Sequence, residues 1–304
     1  MAEQAPRFSI GEWYGRPMIN LTGTELNRYG RIGSKSSDEL CPFRQASFPE
    51  EKCNKKGGVC SMRLYQPGPH GVDAVPTDSG LVTLCPRRFW DQNTVFKHIG
   101  STLLGCTTPI IINEVGFLKA PYRPLSTDRA ATVGKIDMVL VNCQDPTQWC
   151  AVELQAVYFS GAGMSEEFEH YARTSADTVL FPTQVRRPDF RSSGPKRLMP
   201  QLEIKVPTIR RWGRKMAVVV DRAFFSELSP MKAVPHLSNA DIAWFIVDYD
   251  PETGNLQSQD IFYTTLESSV EGLTAGIPVP LPVFQQELQQ TLKKGSPTKV
   301  IRIE

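Results

Sequence analysis

The chain has 304 residues, of which 40% are hydrophobic and 22% charged, and its formal net charge is +2. These values are ordinary for a globular protein with a full hydrophobic core in one or two domains. No apolar run approaches the roughly 20 residues of a membrane span, and the start, MAEQAPRFSIGEW, lacks a signal-peptide pattern. We therefore expect a cytoplasmic protein whose seven cysteines are thiols or metal ligands rather than disulfides.

Residues 1–40 are rich in aromatics and glycine and have no clear helical or strand period, which predicts mostly loop. The basic side chains of this segment could contact a polyanion, although solvated surface is the commoner role for any one of them. They are Arg16, Arg28, Arg31 and Lys35.

The next segment carries four cysteines, Cys41, Cys53, Cys60 and Cys85. The chain between them is rich in Gly, Pro, Lys and Asp, and a small segment with so little apolar material commonly needs a staple. Four thiolates around zinc or iron would provide one and would leave no open position for substrate. The spacing is not the tight Cys-x-x-Cys of a zinc ribbon, so four independent buried thiols are the alternative. The other cysteines are scattered and are predicted to be structural: Cys106, Cys143 and Cys150.

A helical period follows over Val95, Phe96, Ile99 and Leu103 and ends at Gly105. It predicts a helix from Phe89 and the start of a second domain, residues 89–304, after an N-terminal segment of residues 1–88. The run PIIINEVGFL then predicts a strand in which Glu114 interrupts the apolar residues. A lone acid at that place is either a further metal ligand or a core acid paired with a base.

The stretch from Gly134 to Ser160 predicts a β-hairpin, because two arms rich in Val, Ile, Leu and Tyr flank the turn signal Asp145-Pro146. A turn centred on Asp145 places Asp137 directly across from Glu153. Side chains alternate between the faces of a strand, so Glu153 and Gln155 also share a face.

Two carboxylates at that separation repel each other, which usually indicates a divalent cation or a shared proton. Magnesium takes oxygen ligands, and Asp, Glu and Gln all supply them. The alternative is that these side chains form the exposed polar face of a half-solvated hairpin.

The remaining elements complete a predicted mixed α/β sheet flanked by helices. The segments KMAVVVDRAFF and DIAWFIVDYD are near-continuous apolar runs, as expected of strands covered on both faces. A helix is predicted after Met164, with Phe168, Tyr171 and Ser175 on the same face. The last predicted helix has one apolar side made of Leu281, Phe284, Leu288 and Leu292.

Positive charge is concentrated in residues 186–215, which contain ten Lys or Arg and two acids, a net charge of +8 that leaves −6 for the rest of the chain. Duplex DNA attracts such a stretch through its phosphates, and arginine can also read guanine bidentately. Solvated surface without a contact is the alternative for each arginine. The predicted DNA-binding residues are Arg186, Arg187, Arg191, Arg197, Arg210, Arg211 and Arg214.

Other chemistries find less support in the sequence. It has no Gly-x-x-x-x-Gly-Lys loop for nucleotide phosphates, no His-Glu-x-x-His zinc motif and only four histidines. We therefore expect neither a nucleotide cofactor nor nucleotide-driven work.

An Asp on one strand followed by Glu-x-Gln on the next resembles the active-site hairpin of the PD-(D/E)xK nucleases, with Asp137, Glu153 and Gln155 at the matching positions. The departures are Ile136 where that motif has Pro and Gln155 where Lys is usual. GEWYGR, the LCPF and LCPRRF cysteines, INEVGF, GKIDMVLV and AVELQAVYFSG together resemble the NotI family of type II restriction endonucleases over most of the chain.

The resemblance implies a PD-(D/E)xK nuclease domain with a small N-terminal four-cysteine module and a basic DNA-reading insertion at about 186–215. It also implies catalytic magnesium bound by Asp137 and Glu153, with Gln155 orienting the water or a ligand carbonyl. Glu114 is a further candidate catalytic residue. In the family the four cysteines hold iron, and the resemblance favours iron over zinc at Cys41, Cys53, Cys60 and Cys85.

Two functions from different classes follow. The first is a homodimeric, magnesium-dependent endonuclease that cuts double-stranded DNA at a GC-rich palindrome with a CGGCCG-like core, since cutting both strands of a palindrome requires two copies on a two-fold axis. The second is a metal-stapled DNA-binding protein without hydrolytic activity. The constellation of Asp137, Glu153 and Gln155 discriminates between them, because a pure binding protein does not need it.

Overall fold

A computed structural model describes residues 5–33, 38–69, 71–75, 80–120, 132–173, 178–250, 254–274, 276–295 and 300–301. Two sheets dominate the architecture, a five-stranded sheet near the N-terminus and a six-stranded mixed sheet that follows it, with helices packed around both. The predicted class, a mixed α/β sheet with flanking helices, is confirmed. Lys35 and Ser175, named in the sequence predictions, lie outside the described residues.

The N-terminal sheet has the strand order β2-β1-β3-β4, with β5 also paired to β3. Its strands are β1 (Arg7–Trp13), β2 (Arg16–Pro17), β3 (Val59–Gly68), β4 (Gly71–Ala74) and β5 (Leu81–Thr83). Short 3₁₀ turns cover Met18–Asn20 and Lys56–Gly58. The β1–β3 pairing is antiparallel and contains a bulge around Gly11.

The prediction that residues 1–40 are mostly loop is wrong, because β1 and helix α1 (Gly23–Ile32) fall within them. Thr22 and Glu25 form a capping box at the start of α1, a sequence signal for a helix N-terminus. Trp13 is fully buried and lies on the inner face of β1. The strand pattern of this segment was not recognisable in the sequence because the segment is rich in glycine. Tertiary burial decides the structure of this segment.

The helix predicted between Phe89 and Gly105 exists in three pieces. They are a 3₁₀ segment at Pro86–Asn93, the helix α2 (Thr94–Ile99) and a π-helical turn at Gly100–Leu104. The segment ends at Gly105 with φ of +61°, a conformation that glycine adopts without a side-chain clash.

The six-stranded sheet has the order β13-β12-β11-β8-β7-β6. Its strands are β6 (Ile110–Lys119), β7 (Thr132–Val141), β8 (Trp149–Leu154), β11 (Met216–Asp221), β12 (Ile242–Tyr249) and β13 (Leu256–Thr264). The strand β11 runs parallel to both β8 and β12, and the other neighbours are antiparallel. A separate antiparallel pair joins β9 (Tyr158–Gly161) to β10 (Arg186–Asp189).

The remaining helices are α3 (Ser165–Arg173), α4 (Phe190–Ser193), α5 (Met199–Arg211), α6 (Arg222–Ser226), α7 (Leu266–Leu273) and α8 (Leu281–Lys294). A π-helical turn at Gly194–Leu198 joins α4 to α5, and a 3₁₀ turn lies at Leu237–Asn239. All six residues of β11 are buried, so the prediction of strands covered on both faces is confirmed there.

Each face of the six-stranded sheet has its own hydrophobic core. Leu202, Val206 and Ile209 of α5 pack in one core with Val139 of β7 and Ala151 of β8. The opposite core joins strand residues such as Leu140, Val152 and Phe245 to α2 and to the cysteine segment. The two sides of β8 therefore meet different elements, α5 on one side and α2 with the cysteine segment on the other.

The basic stretch is regular structure. It forms β10, α4 and α5, and α5 buries an apolar side against the sheet. Residues 186–215 are therefore part of the packed fold, and their helix α5 covers one face of the six-stranded sheet.

Arg88 joins the two sheets. Its Nε lies 3.0 Å from a carboxylate oxygen of Glu12 on β1, its Nη1 lies 2.9 Å from Asp91, and its Nη2 donates to the Gly254 carbonyl at 2.7 Å. The guanidinium also lies over the ring of Tyr249 of β12, 4.8 Å from the ring centre. Burial raises the pKa of Glu12, and the Arg88 cation opposes that rise.

The helix predicted at the end of the chain is confirmed as α8, but its apolar side is exposed. Leu281 and Leu292 are 66% and 62% exposed. None of the helices in the described ranges is long and apolar enough to cross a membrane.

Candidate active site

Strand register brings the two acids together as the sequence predicted. In the β7–β8 pairing Met138 lies opposite Val152 and Leu140 opposite Cys150. Extending this register by one residue places Asp137 opposite Glu153. The predicted hairpin, its turn and its register are all confirmed, whereas the half-solvated alternative is wrong because β8 is a central strand with Glu153 only 3% exposed.

The side-chain alternation of both strands points these acids at α5. Asp137 lies on the same face of its strand as Val139, and Glu153 lies on the same face as Ala151. Both apolar residues belong to the core beneath that helix. Lys205 of α5 lies over the pair. Its Nζ is 2.7 Å from Glu153 Oε2 and 3.1 Å from Asp137 Oδ2.

Lys205 is 5% exposed, and Gln201, one helical turn earlier, accepts a third hydrogen bond from its Nζ at 2.7 Å. Three oxygens therefore surround one buried ammonium group. The helix places the lysine there because Leu202, Val206 and Ile209 fix the inward side of α5, and residue 205 falls on the same side.

The two acids have unequal environments. Burial raises the pKa of Glu153 to about 7, Lys205 opposes that rise, and the neighbouring Asp137 adds to it. The side chain of Asp137 is 60% exposed. The pair thus has one desolvated carboxyl group, poised near neutral pH, and one carboxylate at the surface that a substrate could approach.

Gln155 lies just beyond the end of β8 and is 6% exposed. Its side-chain Nε2 donates to the Ala156 carbonyl at 2.5 Å, and its backbone N–H donates to Val219 at 3.0 Å. These bonds hold the residue against β11 and direct its amide nitrogen to the main chain.

Glu114 is exposed, with Lys135 Nζ 2.7 Å from its Oε2. The prediction that it could be a core acid is therefore wrong, although its pairing with a base is present. The register of β6 and β7 places it opposite Asp137, and its own φ is +55°. Glu114 makes no contact with Lys205.

The donor set of the acid pair suits a hard divalent cation. Asp137 and Glu153 offer carboxylate oxygens to a common point, which Lys205 Nζ now contacts, and a buried carboxyl group with a raised pKa gains most from a bound cation. Across the described ranges, no three His, Cys, Asp or Glu side chains already form a metal-binding group. Any cation at this site would thus have two protein carboxylates and would complete its shell with water or phosphate oxygens.

The four clustered cysteines also come together. A bridge between Leu40 and Lys52 aligns Cys41 with Cys53, whose N–H groups donate across it to Glu51 and Glu39. The carbonyl of Cys60 accepts from the N–H of Cys85 at 3.2 Å. These backbone hydrogen bonds bring Cys41 close to Cys53, and Cys60 close to Cys85, although each pair is separated in the sequence.

The thiols influence one another. Burial raises the pKa of Cys53, and Cys41 and Cys85 raise it further. Burial likewise raises the pKa of Cys60 and Cys85. In the described residues, however, no three of these thiols form a group that could hold a metal ion, so the structure does not support the predicted four-cysteine metal site.

Cys106 and Cys143, predicted to be scattered, lie together with their Sγ atoms 3.3 Å apart. Loop packing brings them together, since Asn142 Nδ2 donates to the Leu104 carbonyl at 2.9 Å. Cys150, by contrast, is a buried thiol of the sheet, as predicted.

Arg186, expected to contact DNA, is instead buried, because its guanidinium pairs with Glu167 at 2.5 Å inside the protein. Arg210 pairs with Asp241 at 3.2 Å, and Arg214 donates to the Thr147 carbonyl at 2.6 Å in the β7–β8 turn. Arg211 is exposed at the end of α5. These last three therefore lie at the end of the sheet opposite to Glu153.

The other three arginines are exposed, and Arg197 lines a cavity that also contains Glu153. Arg187 pairs in register with Ser160 of β9, and Arg191 begins the helical segment that follows; both are exposed. Arg197 is exposed too, and its guanidinium lies 3.7 Å from the ring centre of Tyr158.

Lys205 is the residue that sequence reasoning did not single out. The signal was present as a lysine on the apolar side of a helical period, at Leu198, Leu202, Val206 and Ile209. Only the fold reveals its partners, because they lie 52 and 68 residues earlier in the chain.

Comparison with known proteins identifies the family. A family model described as restriction endonuclease NotI matches residues 27–260, a segment that contains the acid pair, Lys205 and the four clustered cysteines. No curated protein matches the chain. The chain therefore belongs to the NotI family of restriction endonucleases, which makes it a site-specific deoxyribonuclease.

Proposed function

We propose that this protein is a type II restriction endonuclease that uses magnesium to hydrolyse double-stranded DNA at a GC-rich palindrome. The observation that carries the proposal is the buried contact of Lys205 with Glu153 and Asp137 within a chain of this family. A metal-stapled binding protein without nuclease activity is not favoured, since buried charges are costly and binding alone does not require them.

The geometry supports a proposed role for each residue of the site. Asp137 and Glu153 would hold the magnesium ion, which would supply an activated water and stabilise charge on the scissile phosphate. Gln155, fixed by its bond to Ala156, orients that water or a ligand carbonyl. Glu114, opposite Asp137 in register, is proposed as an outer ligand that would have to leave Lys135.

Lys205 supplies the positive charge that the PD-(D/E)xK motif usually places at the position of Gln155. In the free site its ammonium balances the two carboxylates at 2.7 and 3.1 Å. A cation held by these carboxylates would offset their charge, and Lys205 would then be free to donate a hydrogen bond to a phosphate oxygen. Such a preorganised donor stabilises the charge that develops in the transition state.

Recognition requires two copies of the chain. A palindrome cut on both strands presents two equivalent phosphates related by a two-fold axis, so a homodimer places one site at each. The exposed Arg187, Arg191 and Arg197 are the proposed DNA contacts, and Arg197 lines the cavity beside Glu153. The proposed recognition sequence has a CGGCCG core, like that of EagI, another restriction endonuclease that resembles this chain.

The test of the proposed function is the Asp137→Ala variant. The purified wild-type protein should cut plasmid DNA in magnesium, and the variant should lose cleavage while it keeps its affinity for DNA, because Asp137 is exposed and supports no core packing. The control is Asp145→Ala in the β7–β8 turn, which should cut normally. Full activity of Asp137→Ala would refute the assignment.

The cysteine module has a separate test that does not depend on activity. Elemental analysis should find one iron or zinc ion per chain, and Cys60→Ser should lose it together with thermal stability, since metal binding is coupled to folding. Because the pKa values of Cys53, Cys60 and Cys85 are raised, loading the metal-free protein should release protons that a pH indicator can count. A fully folded protein that contains no metal would contradict the module.

A further inference from the structure

A cavity of about 310 Å³ lies beside the acid pair, and two separate parts of the chain line it. Glu153, Gln155 and Gln201 come from the nuclease sheet and α5, whereas Lys55 and Pro86 come from the N-terminal region. This volume is at the low end of the range for ligand cavities. A segment of DNA backbone that reaches Glu153 would therefore also meet the cysteine segment.

The cavity contains two cations without an acidic partner. Lys55 Nζ donates to the Leu84 carbonyl at 2.9 Å, a neutral acceptor. Arg197 lies over the Tyr158 ring at 3.7 Å from its centre, and that ring is also neutral. In the described part of the chain neither side chain forms an ion pair. The carboxylate of Glu153, in contrast, already has Lys205 as its counter-ion.

Lys55 is held in place before any ligand arrives. It lies between Cys53 and Cys60, and its own carbonyl accepts from the Gly58 N–H at 2.9 Å. The thiol of Cys53 lies 3.8 Å from the same carbonyl. Lys55 is half-buried, and hydrogen bonds hold both its main chain and its ammonium group. It would therefore lose little conformational entropy on binding an anion.

We propose that Lys55 binds a DNA phosphate inside this cavity, together with Arg197, so that the cysteine module contributes a substrate-binding residue to the nuclease site. The inference rests on the proposed function for the identity of the anion. It gives the module a second role besides folding, because the loop that the cysteines fix delivers this ammonium group next to Glu153 and Gln155.

The neighbouring residue provides a matched control. Lys56 has the same charge and follows Lys55 directly, but it is exposed and does not line the cavity. Lys55→Met and Lys56→Met should be compared for DNA binding with calcium in place of magnesium, so that no cleavage is needed. We expect Lys55→Met to weaken binding about 10- to 100-fold and to lower the salt dependence by about one phosphate contact, with Lys56→Met unchanged.

Duplexes with a single neutral methylphosphonate identify the contact. At one backbone position near the scissile phosphate, this substitution should weaken binding by the wild type but have little further effect on Lys55→Met. Lys55→Arg should restore affinity, and the metal content of every variant should match the wild type, which separates a lost contact from a disrupted module.

Equal binding by Lys55→Met and Lys56→Met would overturn the proposal, as would a Lys55→Met defect that every methylphosphonate duplex shares. A wild-type protein that binds DNA but does not cut it in magnesium would instead overturn the proposed function. The role of Lys55 would still be decided by its own binding comparison.

Discussion

Replacing Glu153 by glutamine tests the electrostatic description of the acid pair. Burial raises the pKa of Glu153 from 4.5 to about 7, in spite of the Lys205 cation beside it. A shift of that size corresponds to about 3 kcal/mol in favour of the neutral form of the folded protein. Glutamine has nearly the same shape without the charge, so Glu153→Gln should remove this cost.

The sign of the pH dependence follows from proton linkage. Between about pH 4.5 and pH 7 the folded protein keeps a proton on Glu153 that the unfolded chain releases. The free energy of unfolding of the wild type therefore falls as pH rises through this window, by about 3 kcal/mol. We expect Glu153→Gln to be about 3 kcal/mol more stable than the wild type near pH 8, but within about 1 kcal/mol near pH 5.

Urea denaturation in magnesium-free buffer at both pH values measures the difference, with unchanged m-values as the check that both proteins unfold alike. Glu203→Gln, on the exposed side of the same helix as Lys205, is the control and should change neither value. The gain in stability should accompany a complete loss of cleavage, because the variant would lack a carboxylate that we propose binds magnesium. A stability change that is the same at both pH values, or a loss near pH 8, would refute the reasoning.

Three further substitutions test the lysine and the arginines. Lys205→Met should lower single-turnover cleavage about 100- to 1000-fold while DNA affinity in calcium stays nearly constant, because it removes a donor that acts in the transition state; an unchanged rate would exclude that role. Arg187→Ala, which removes an exposed cation, should flatten the salt dependence of DNA binding by about one contact, whereas Arg214→Ala, which removes a guanidinium bonded to the β7–β8 turn, should not. Equal slopes for these two variants would show that the basic stretch is not the DNA-contacting surface.

Local patterns were sufficient to predict the hairpin and its acids. The turn at Asp145 and the alternation of side chains determine the register, and both operate within a few residues of Asp137 and Glu153. The strands β11 and β12 could also be predicted from their apolar runs, since strands buried on both faces need no polar side.

What could not be predicted depends on contacts between distant parts of the chain. Lys205 counted in the sequence as one of ten basic residues, and only the docking of α5 on the sheet gives it two carboxylate partners. Arg186 was predicted to face DNA, but the position of Glu167 on α3 turns it inward. The strand β1 was missed because its partner β3 begins more than 40 residues later, so that no short turn in the sequence indicates the pairing.

Arg88, the buried arginine between the two sheets, couples the unfolding of one sheet to that of the other. Separating the sheets would break the contacts that Arg88 makes with Glu12 of one sheet and with Gly254 and the Tyr249 ring beside the other. The cysteine segment shares its core with α2 and with the strands next to the acid pair. Melting therefore becomes a single cooperative event, and an enzyme warmed past its midpoint loses the loop that carries Lys55 and the acid pair together, without passing through a DNA-binding remnant.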